Sequence, residues 1–209
     1  TPDTLKRLLE EKTHPRPQMA NQYHFGTLMA LLTIAEELDL VKIIDRHTKK
    51  RNQQLNVGTY ILLIVLNRAL APKSKRGIAK WYRRSVLYRL LKIPPSRLKS
   101  QNFWDHMSYL GEKEIDSIQT ELFQVLIERY QLGIDCLLWD TTNFFTFLEE
   151  HKDNRLAQRG RNKQGRDNLR QIGLALLVTR KFHIPLLHST YEGNTHDSKV
   201  FPESLKELV

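Results

Sequence analysis

The sequence predicts an α+β protein, in which an all-helical N-terminal region over residues 1–132 is followed by an α/β domain over residues 133–209. Up to about residue 131, apolar side chains recur at spacings of three and four, the period of one face of an α-helix. After Gly133 the apolar residues form compact runs that suit strands. These runs are Ile134–Trp139, Leu169–Thr179 and Ile184–Tyr191. The change of period places a domain boundary near residue 133.

The helical region divides into several amphipathic or apolar segments. Their apolar spacing predicts helices over residues 3–11, 19–38, 40–44, 57–70, 75–91 and 112–131. The segment 75–91 contains either one helix or two. Ser96 is the predicted N-cap of a further helix. That helix carries Leu98, Phe103, Trp104 and Met107. Gly133 is predicted to end the last helix of the region.

A hairpin and a final helix are expected in the second part. The turn Arg180-Lys181-Phe182-His183 joins the two later apolar runs, so the sequence predicts a β-hairpin there. Pro202 is expected near the start of a helix over Glu203–Leu208, because proline is tolerated where a helix begins and its missing N–H is not needed.

Positive charge is concentrated in one segment of the chain. The formal net charge is +10 at pH 7, and the 59 residues from Arg46 to Trp104 contain 15 lysines and arginines and no acidic residue. The rest of the chain carries 18 basic and 23 acidic side chains. Such segregation is typical of a surface that binds a polyanion, and Lys80, Arg83 and Arg84 are its candidate DNA-binding residues. The alternative is a solvated basic surface without a partner.

Composition argues against a membrane protein and against a disulfide-stabilised one. The longest strongly apolar run, Tyr60–Leu66, is far shorter than the roughly 20 residues that span a bilayer. The single cysteine, Cys136, cannot form an intramolecular disulfide and is expected to be a small core residue of a strand. A single cysteine also fits a reducing, cytoplasmic compartment.

Asp140 lies at the predicted exit of the first buried strand. An ionised carboxylate at such a position is costly unless a cation or hydrogen-bond donors satisfy it. Carboxylate oxygens are the ligands that Mg²⁺ prefers, so Asp140 is a candidate metal ligand, although one carboxylate alone is expected to bind Mg²⁺ weakly. The alternative is that Asp140 caps the following turn by accepting backbone N–H groups.

A basic loop over residues 155–170 follows this strand, and Asp167 is its one acidic residue. Its candidate contacts with a phosphodiester backbone are Arg159, Arg161, Lys163 and Arg166. A solvated hairpin loop is the alternative. Further on, Gly193 and Asn194 are expected to adopt positive φ in a turn. Asp197 is interpreted as a turn or cap residue ahead of the last helix, and the alternative is that Asp197 and His196 are metal ligands.

Several ordered motifs run through both parts of the chain. In the second part they are Leu138-Trp139-Asp140-Thr141-Thr142-Asn143-Phe144, Leu156-Ala157-Gln158-Arg159-Gly160, Arg170-Gln171-Ile172-Gly173-Leu174-Ala175-Leu176 and Tyr191-Glu192-Gly193-Asn194-Thr195-His196-Asp197. In the helical part they are Ile43-Ile44-Asp45-Arg46, Ala69-Leu70-Ala71-Pro72-Lys73-Ser74-Lys75 and Phe103-Trp104-Asp105-His106-Met107. Over nearly the whole chain, this pattern resembles bacterial insertion-sequence transposases with an RNase H-like DDE catalytic domain.

The resemblance implies a fold, an activity and a catalytic residue. The fold is a helical DNA-binding region followed by a partial RNase H-like α/β domain. The activity is DNA cleavage and strand transfer at transposon ends with two Mg²⁺ ions. Asp140 matches the first acid of the catalytic triad, while the second acid, an Asp, and the third, a Glu, are expected beyond Val209. We therefore expect a transposase truncated after its first catalytic Asp and inactive by itself.

The resemblance also implies partners and a location. The partners are double-stranded DNA, in particular transposon ends, and further copies of the chain in a homo-oligomeric active complex. The expected location is the nucleoid in the cytoplasm. A non-catalytic DNA-binding or regulatory truncated transposase is the alternative function, and a structure-specific nuclease on the same fold is a third. Because the fourth strand is also expected beyond the chain, one edge of the first strand is expected to stay unpaired.

Overall fold

The structure, a computed structural model, describes residues 25–48, 55–147, 154–162 and 164–206. These residues form eight α-helices and a four-stranded antiparallel sheet, so the chain is a mixture of helix and sheet as predicted. The expected helix over residues 3–11 and the beginning of the one over residues 19–38 lie outside the described residues.

Seven of the helices precede the strands. They are α1 (Phe25–Glu37), α2 (Leu40–His47), α3 (Val57–Leu70), α4 (Lys75–Arg83), α5 (Leu87–Leu91), α6 (Ser100–Met107) and α7 (Glu112–Tyr130). A short 3₁₀ turn, Pro95–Arg97, lies between α5 and α6. The prediction for residues 57–70 is confirmed at both ends, and the segment 75–91 contains two helices.

The chain divides into two compact units, which are described separately. The helical unit comprises Thr1–Val41 and Lys50–Tyr109, and the sheet unit comprises Lys42–Lys49 and Leu110–Val209. The predicted domain boundary near residue 133 falls between the end of α7 and the first strand, where the secondary structure changes from helix to strand.

The helical unit has one buried hydrophobic core. α3 is apolar on most faces and contributes Tyr60, Leu63 and Leu66, each exposed by 2% or less. Phe103 from α6 is fully buried, and its ring meets the Tyr60 ring edge-on, with centroids 5.1 Å apart. The Tyr82 hydroxyl accepts the N–H of Ile93, so that a polar group is satisfied inside the core. These contacts give the basic helices a rigid support.

The sheet unit is built around one central strand. Its strands are β1 (Leu137–Thr146), β2 (Gln158–Arg159), β3 (Arg170–Thr179) and β4 (Pro185–Glu192). β3 pairs antiparallel with β1, β2 and β4, and the predicted hairpin of β3 with β4 is confirmed. α8 (Asp197–Lys206) follows, and Phe201 from this helix packs on Trp139 with ring centroids 5.1 Å apart.

Three predictions about where elements begin and end are wrong. Ser96 does not cap a helix, because α6 begins four residues later at Ser100 after the 3₁₀ turn. α7 ends at Tyr130, and Gln131 rather than Gly133 takes the left-handed conformation after it. Pro202 lies inside α8, which begins earlier at Asp197, where an acidic side chain suits the positive end of the helix dipole. Among the described residues, no helix combines the length and apolar character needed to cross a bilayer.

Candidate nucleic-acid interface and carboxylate site

The basic side chains of the helical unit lie on its surface. Between residues 55 and 104, every lysine and arginine is exposed except Lys75, which is half-buried. Lys80 and Arg83 belong to α4, and Arg84 is its C-cap residue. Lys80 and Arg84 line a cavity of about 480 Å³ with the half-buried Trp81, whereas Arg83 lies outside it. The structure therefore brings two of the three predicted residues together.

The positive segment is partly neutralised at its N-terminal end. Within the sheet unit, the Arg46 guanidinium forms an ion pair with Glu121 of α7. His47 Nε2 lies 2.6 Å from the other carboxylate oxygen of Glu121. A count of charges along the chain cannot show an acidic partner that is distant in sequence. Because Arg46 is paired with Glu121 in the sheet unit, it does not belong to the exposed basic surface of the helical unit.

A tryptophan that the sequence interpretation did not single out lies among these cations. Trp104 of α6 is 55% exposed, while its neighbour Phe103 is fully buried. The Lys75 ammonium lies 3.7 Å from the centroid of the Trp104 ring. Adjacent residues of a helix point in directions about 100° apart, so only one of the two aromatic side chains can face the core. That spacing was the available signal for an exposed aromatic here.

The basic loop of the sheet unit is held by hydrogen bonds to asparagine side chains. Asn154 Oδ1 accepts the N–H groups of Leu156 and Ala157 at 3.0 Å. Asn162 Oδ1 accepts those of Gln164 and Arg166 at 3.1 and 3.0 Å. These bonds shape the loop, whose basic side chains remain exposed to solvent.

The predicted phosphate contacts of this loop have different surroundings. Arg159 of β2, Arg161 and Arg166 are exposed, and Lys163 lies outside the described residues. The Arg166 guanidinium lies over the Phe145 ring, 5.6 Å from its centroid. Arg155 donates to Glu192 Oε1 at 2.9 Å, and this contact raises the pKa of Arg155 and ties it to β4.

Gly160 and Gly193 bring segments that are distant in sequence into contact. A Cβ at Gly193 would lie 1.9 Å from the Gln171 carbonyl oxygen, and one at Gly160 would lie 2.5 Å from that of Gly193. The Gln171 side-chain amide donates to the Gly193 carbonyl at 2.7 Å. Gly193 and Asn194 do not adopt the expected positive φ, and Gly165 does, at 68°. The absence of a side chain, rather than backbone freedom, is therefore what position 193 requires.

Asp140 lies inside a strand, so its predicted place at a strand exit is wrong. β1 continues to Thr146, because threonines and phenylalanines after Asp140 favour extended backbone and pair with residues 170–175 of β3. The side chain is exposed, and Asp140 Oδ1 accepts the N–H of Thr141 at 2.8 Å. Asp140 thus satisfies a backbone donor, as in the capping alternative, but no turn follows it.

The Thr141 N–H lies on the edge of β1 that faces away from β3. The Cys136 carbonyl accepts from Arg180 at the end of the hairpin, and backbone groups of alternate residues in a strand point the same way. The backbone N–H and C=O groups of Asp140 therefore point toward β3, and those of Thr141 point toward the other edge of β1. Among the described residues, β1 has no neighbouring strand on that second edge.

Asp197 is a second carboxylate of the sheet unit, and it is contacted by Tyr191. The Tyr191 ring packs over Gly173, and its hydroxyl donates to Asp197 Oδ1 at 3.1 Å. The pKa of Tyr191 is raised to about 12, chiefly by burial and also by the negative charges of Asp197 and Asp140. Asp197 lies in the first turn of α8, in agreement with its interpretation as a turn or cap residue.

These carboxylates do not complete a metal site in the described part of the chain. No group of three or more His, Cys, Asp or Glu residues there is arranged to hold an ion. A two-ion site needs several oxygen ligands around each ion, and the part of the chain that the structure describes brings no such set together. Comparison with known protein families, curated proteins and solved structures gives no match for this chain.

Proposed function

We propose that this chain is part of a bacterial insertion-sequence DDE transposase and that its helical unit binds double-stranded DNA at transposon ends. The observation that carries the proposal is the surface of the helical unit, where ten of the eleven basic side chains between residues 55 and 104 are exposed and that segment contains no acidic residue. Phosphate contacts by such side chains supply most of the affinity of DNA-binding proteins.

The sheet unit supports the transposase part of the proposal. In an RNase H-like domain, the first strand is flanked on one side by a hairpin, and here β3 of the hairpin pairs with β1 along ten residues. Asp140 stands on that first strand with an exposed carboxylate. Arg159, Arg161 and Arg166, together with Lys163, would contact the DNA backbone from the neighbouring loop.

Asp140 is the proposed catalytic residue and Mg²⁺ ligand, and it is the one triad acid proposed in this chain. Two Mg²⁺ ions would stabilise the attacking and leaving oxygens during phosphodiester cleavage. The described residues do not assemble the remaining ligands. The exposed basic surface of the helical unit also fits a second candidate function, a non-catalytic DNA-binding or regulatory form that occupies transposon ends, alone or as a homo-oligomer in the nucleoid.

Salt-dependent binding of duplex DNA tests the proposal. The logarithm of the association constant should fall linearly with the logarithm of salt concentration, with a slope of about −0.9 for each phosphate contacted. Arg83→Ala combined with Arg84→Ala should make that slope less steep by up to about 1.8, since two contacts are lost. Anisotropy of a labelled duplex at several salt concentrations measures both slopes.

A matched double variant tests whether DNA binding depends on where the cations lie or only on how many there are. Arg180→Ala with Lys181→Ala removes two adjacent exposed cations from the hairpin turn of the sheet unit, and it should leave the slope nearly unchanged. Equal slopes for both double variants would contradict the assignment of the interface to the helical unit. Binding that does not depend on salt, or no binding of duplex, would contradict the proposal as a whole.

A further inference from the structure

A groove in the helical unit combines cations with an exposed aromatic ring. It lies between α3, α4 and α6 and has a volume of about 670 Å³. Its lining includes Arg68, Lys73, Lys75, Arg76, Met107 and Trp104, and no acidic residue. We call it the Trp104 groove. Its volume is in the range of pockets that bind small molecules or single nucleotides, and it is too small to seat the face of a duplex.

Trp104 is held at the surface in a defined position. It is 55% exposed, and Lys75 covers part of the indole from 3.7 Å above its centroid. A lysine over an indole is attracted to the ring and limits its rotation. The part of the ring that Lys75 leaves uncovered and that is exposed to solvent is a flat apolar surface. Such a surface, next to cations, is what an unpaired base stacks on in proteins that bind single strands.

The cations around Trp104 are attached to a rigid corner of the backbone. Asn67 is 1% exposed, its side-chain amide donates to the Ala71 carbonyl at 2.9 Å, and its Oδ1 accepts the N–H of Lys73 at 3.0 Å. These bonds fix the connection between α3 and α4, which carries Lys73, and α4 begins directly after it with Lys75 and Arg76. The backbone around the groove is therefore held in place, and it presents cations next to an aromatic ring, which favours a ligand with both phosphate and base.

We propose that the Trp104 groove binds single-stranded DNA, with one base stacked on the indole and the adjacent phosphates beside Arg68, Lys73 and Arg76. This inference rests on the proposed function, because the DNA partner comes from there, and it adds a substrate form, the unpaired strand. A duplex presents its phosphates outside and its bases already stacked, so it can use the cations but not the indole.

The test compares a short labelled thymidine oligonucleotide with a blunt duplex, using the full 209-residue chain. Trp104→Ala should weaken binding of the oligonucleotide by roughly five- to a hundredfold, the factor that one stacked base contributes. Trp104→Phe should restore most of the affinity, since phenylalanine also stacks. Neither variant should change duplex affinity by more than about twofold.

Two further variants separate an effect on the groove from an effect on folding. One removes a different exposed aromatic ring, and the other removes cations of the groove. Phe25 of α1 is 58% exposed and does not line the groove, so Phe25→Ala should bind the oligonucleotide like the wild type. If Trp104→Ala loses helical circular dichroism, Arg68→Gln with Arg76→Gln replaces it and should weaken oligonucleotide binding. Arg89→Gln with Lys92→Gln, which removes exposed cations away from the groove, should have a smaller effect.

Each alternative result overturns a definite part of the inference. Unchanged oligonucleotide binding in Trp104→Ala, or an equal loss for oligonucleotide and duplex, shows that the indole does not stack a base. Tighter binding of a uridine oligonucleotide shows that the groove is an RNA site. If duplex binding keeps its salt dependence while Trp104 has no effect, only this inference fails. If no DNA binds, the proposed function fails with it.

Discussion

In the helical unit, thirteen buried side chains between Leu28 and Phe103 form one hydrophobic cluster. In the sheet unit, by contrast, only one face of the sheet is well covered. Ala175 and Leu177 of β3 are buried, but on the opposite face Leu138 and Phe144 are 41% and 57% exposed. The long helix α7 contributes no buried residue at all. The two units therefore gain their stability in different ways.

The two units differ in how much buried apolar core supports the side chains on their surfaces. The helical unit buries enough apolar area to hold its own fold, so its many cations can repel one another on the outside without a covalent or metal restraint. The sheet unit depends more on backbone pairing and on close packing at glycines such as Gly193 and Gly160. Asp140 projects from the same exposed face as Leu138 and Phe144, because alternate residues of a strand share a face, so its carboxylate stands on the poorly covered side of the sheet.

The largest expected difference in stability is between two variants that each remove a phenylalanine ring, one from each unit. Phe103→Ala leaves a cavity in the helical core and should lower the free energy of unfolding by about 3–5 kcal/mol. Phe144→Ala removes a ring that is mostly in solvent and should cost less than about 1 kcal/mol. Urea unfolding followed by circular dichroism measures both values. Similar losses in the two variants would show that the exposed face of the sheet is covered in solution.

A smaller effect is expected from glycine substitutions chosen by the space around them. Gly193→Ala drives a methyl group into the Gln171 carbonyl and should destabilise the sheet unit by about 1–3 kcal/mol. Gly26→Ala in α1 meets nothing within 4 Å and should be neutral or stabilise by up to about 1 kcal/mol. Thermal unfolding of the two variants checks this. A tolerated Gly193→Ala would mean that the contact between Gly193 and Gln171 can open without loss.

Periodic elements could be predicted from the sequence because their determinants are local. The run from Val57 to Leu70 has apolar residues on most faces, and a proline lies two residues beyond it, so both ends of α3 follow from nearby residues. The hairpin of β3 with β4 follows in the same way from two apolar runs and a short polar turn. Its turn places Phe182 and His183 at positive φ, which the residue types alone do not suggest.

The features that escaped prediction depend on partners distant in sequence. Asp140 is in the middle of a strand because Thr141 to Thr146 find partners on β3, about thirty residues further along the chain. Gly193 is required by Gln171, and Arg46 is neutralised by Glu121, and neither pair is adjacent in sequence. For Trp104, a local rule shows that it and Phe103 cannot both face the core, but only the tertiary structure shows that Phe103 is the buried one.

The smallest expected effect concerns pH and the hydroxyl of Tyr191. Its pKa is raised from 10.0 to about 12, first by burial and then by Asp197 and Asp140, so the folded state favours the neutral phenol more than the unfolded state does. This contribution to stability is complete below about pH 10 and is lost as the pH rises toward about 12. The loss should be modest, because Tyr191 is only half-buried and solvent screens the carboxylates.

Tyr191→Phe isolates this contribution from the other tyrosines. Burial also raises the pKa of Tyr60 and Tyr82, but both belong to the helical unit and are unchanged in the variant. The wild type should therefore lose slightly more stability than Tyr191→Phe over this pH range. In an ultraviolet titration of the phenols, Asp197→Asn should lower the pKa of Tyr191 more than Asp140→Asn does, because Asp197 also accepts its hydrogen bond. The reverse order would contradict the structure, in which Asp197 rather than Asp140 contacts the hydroxyl.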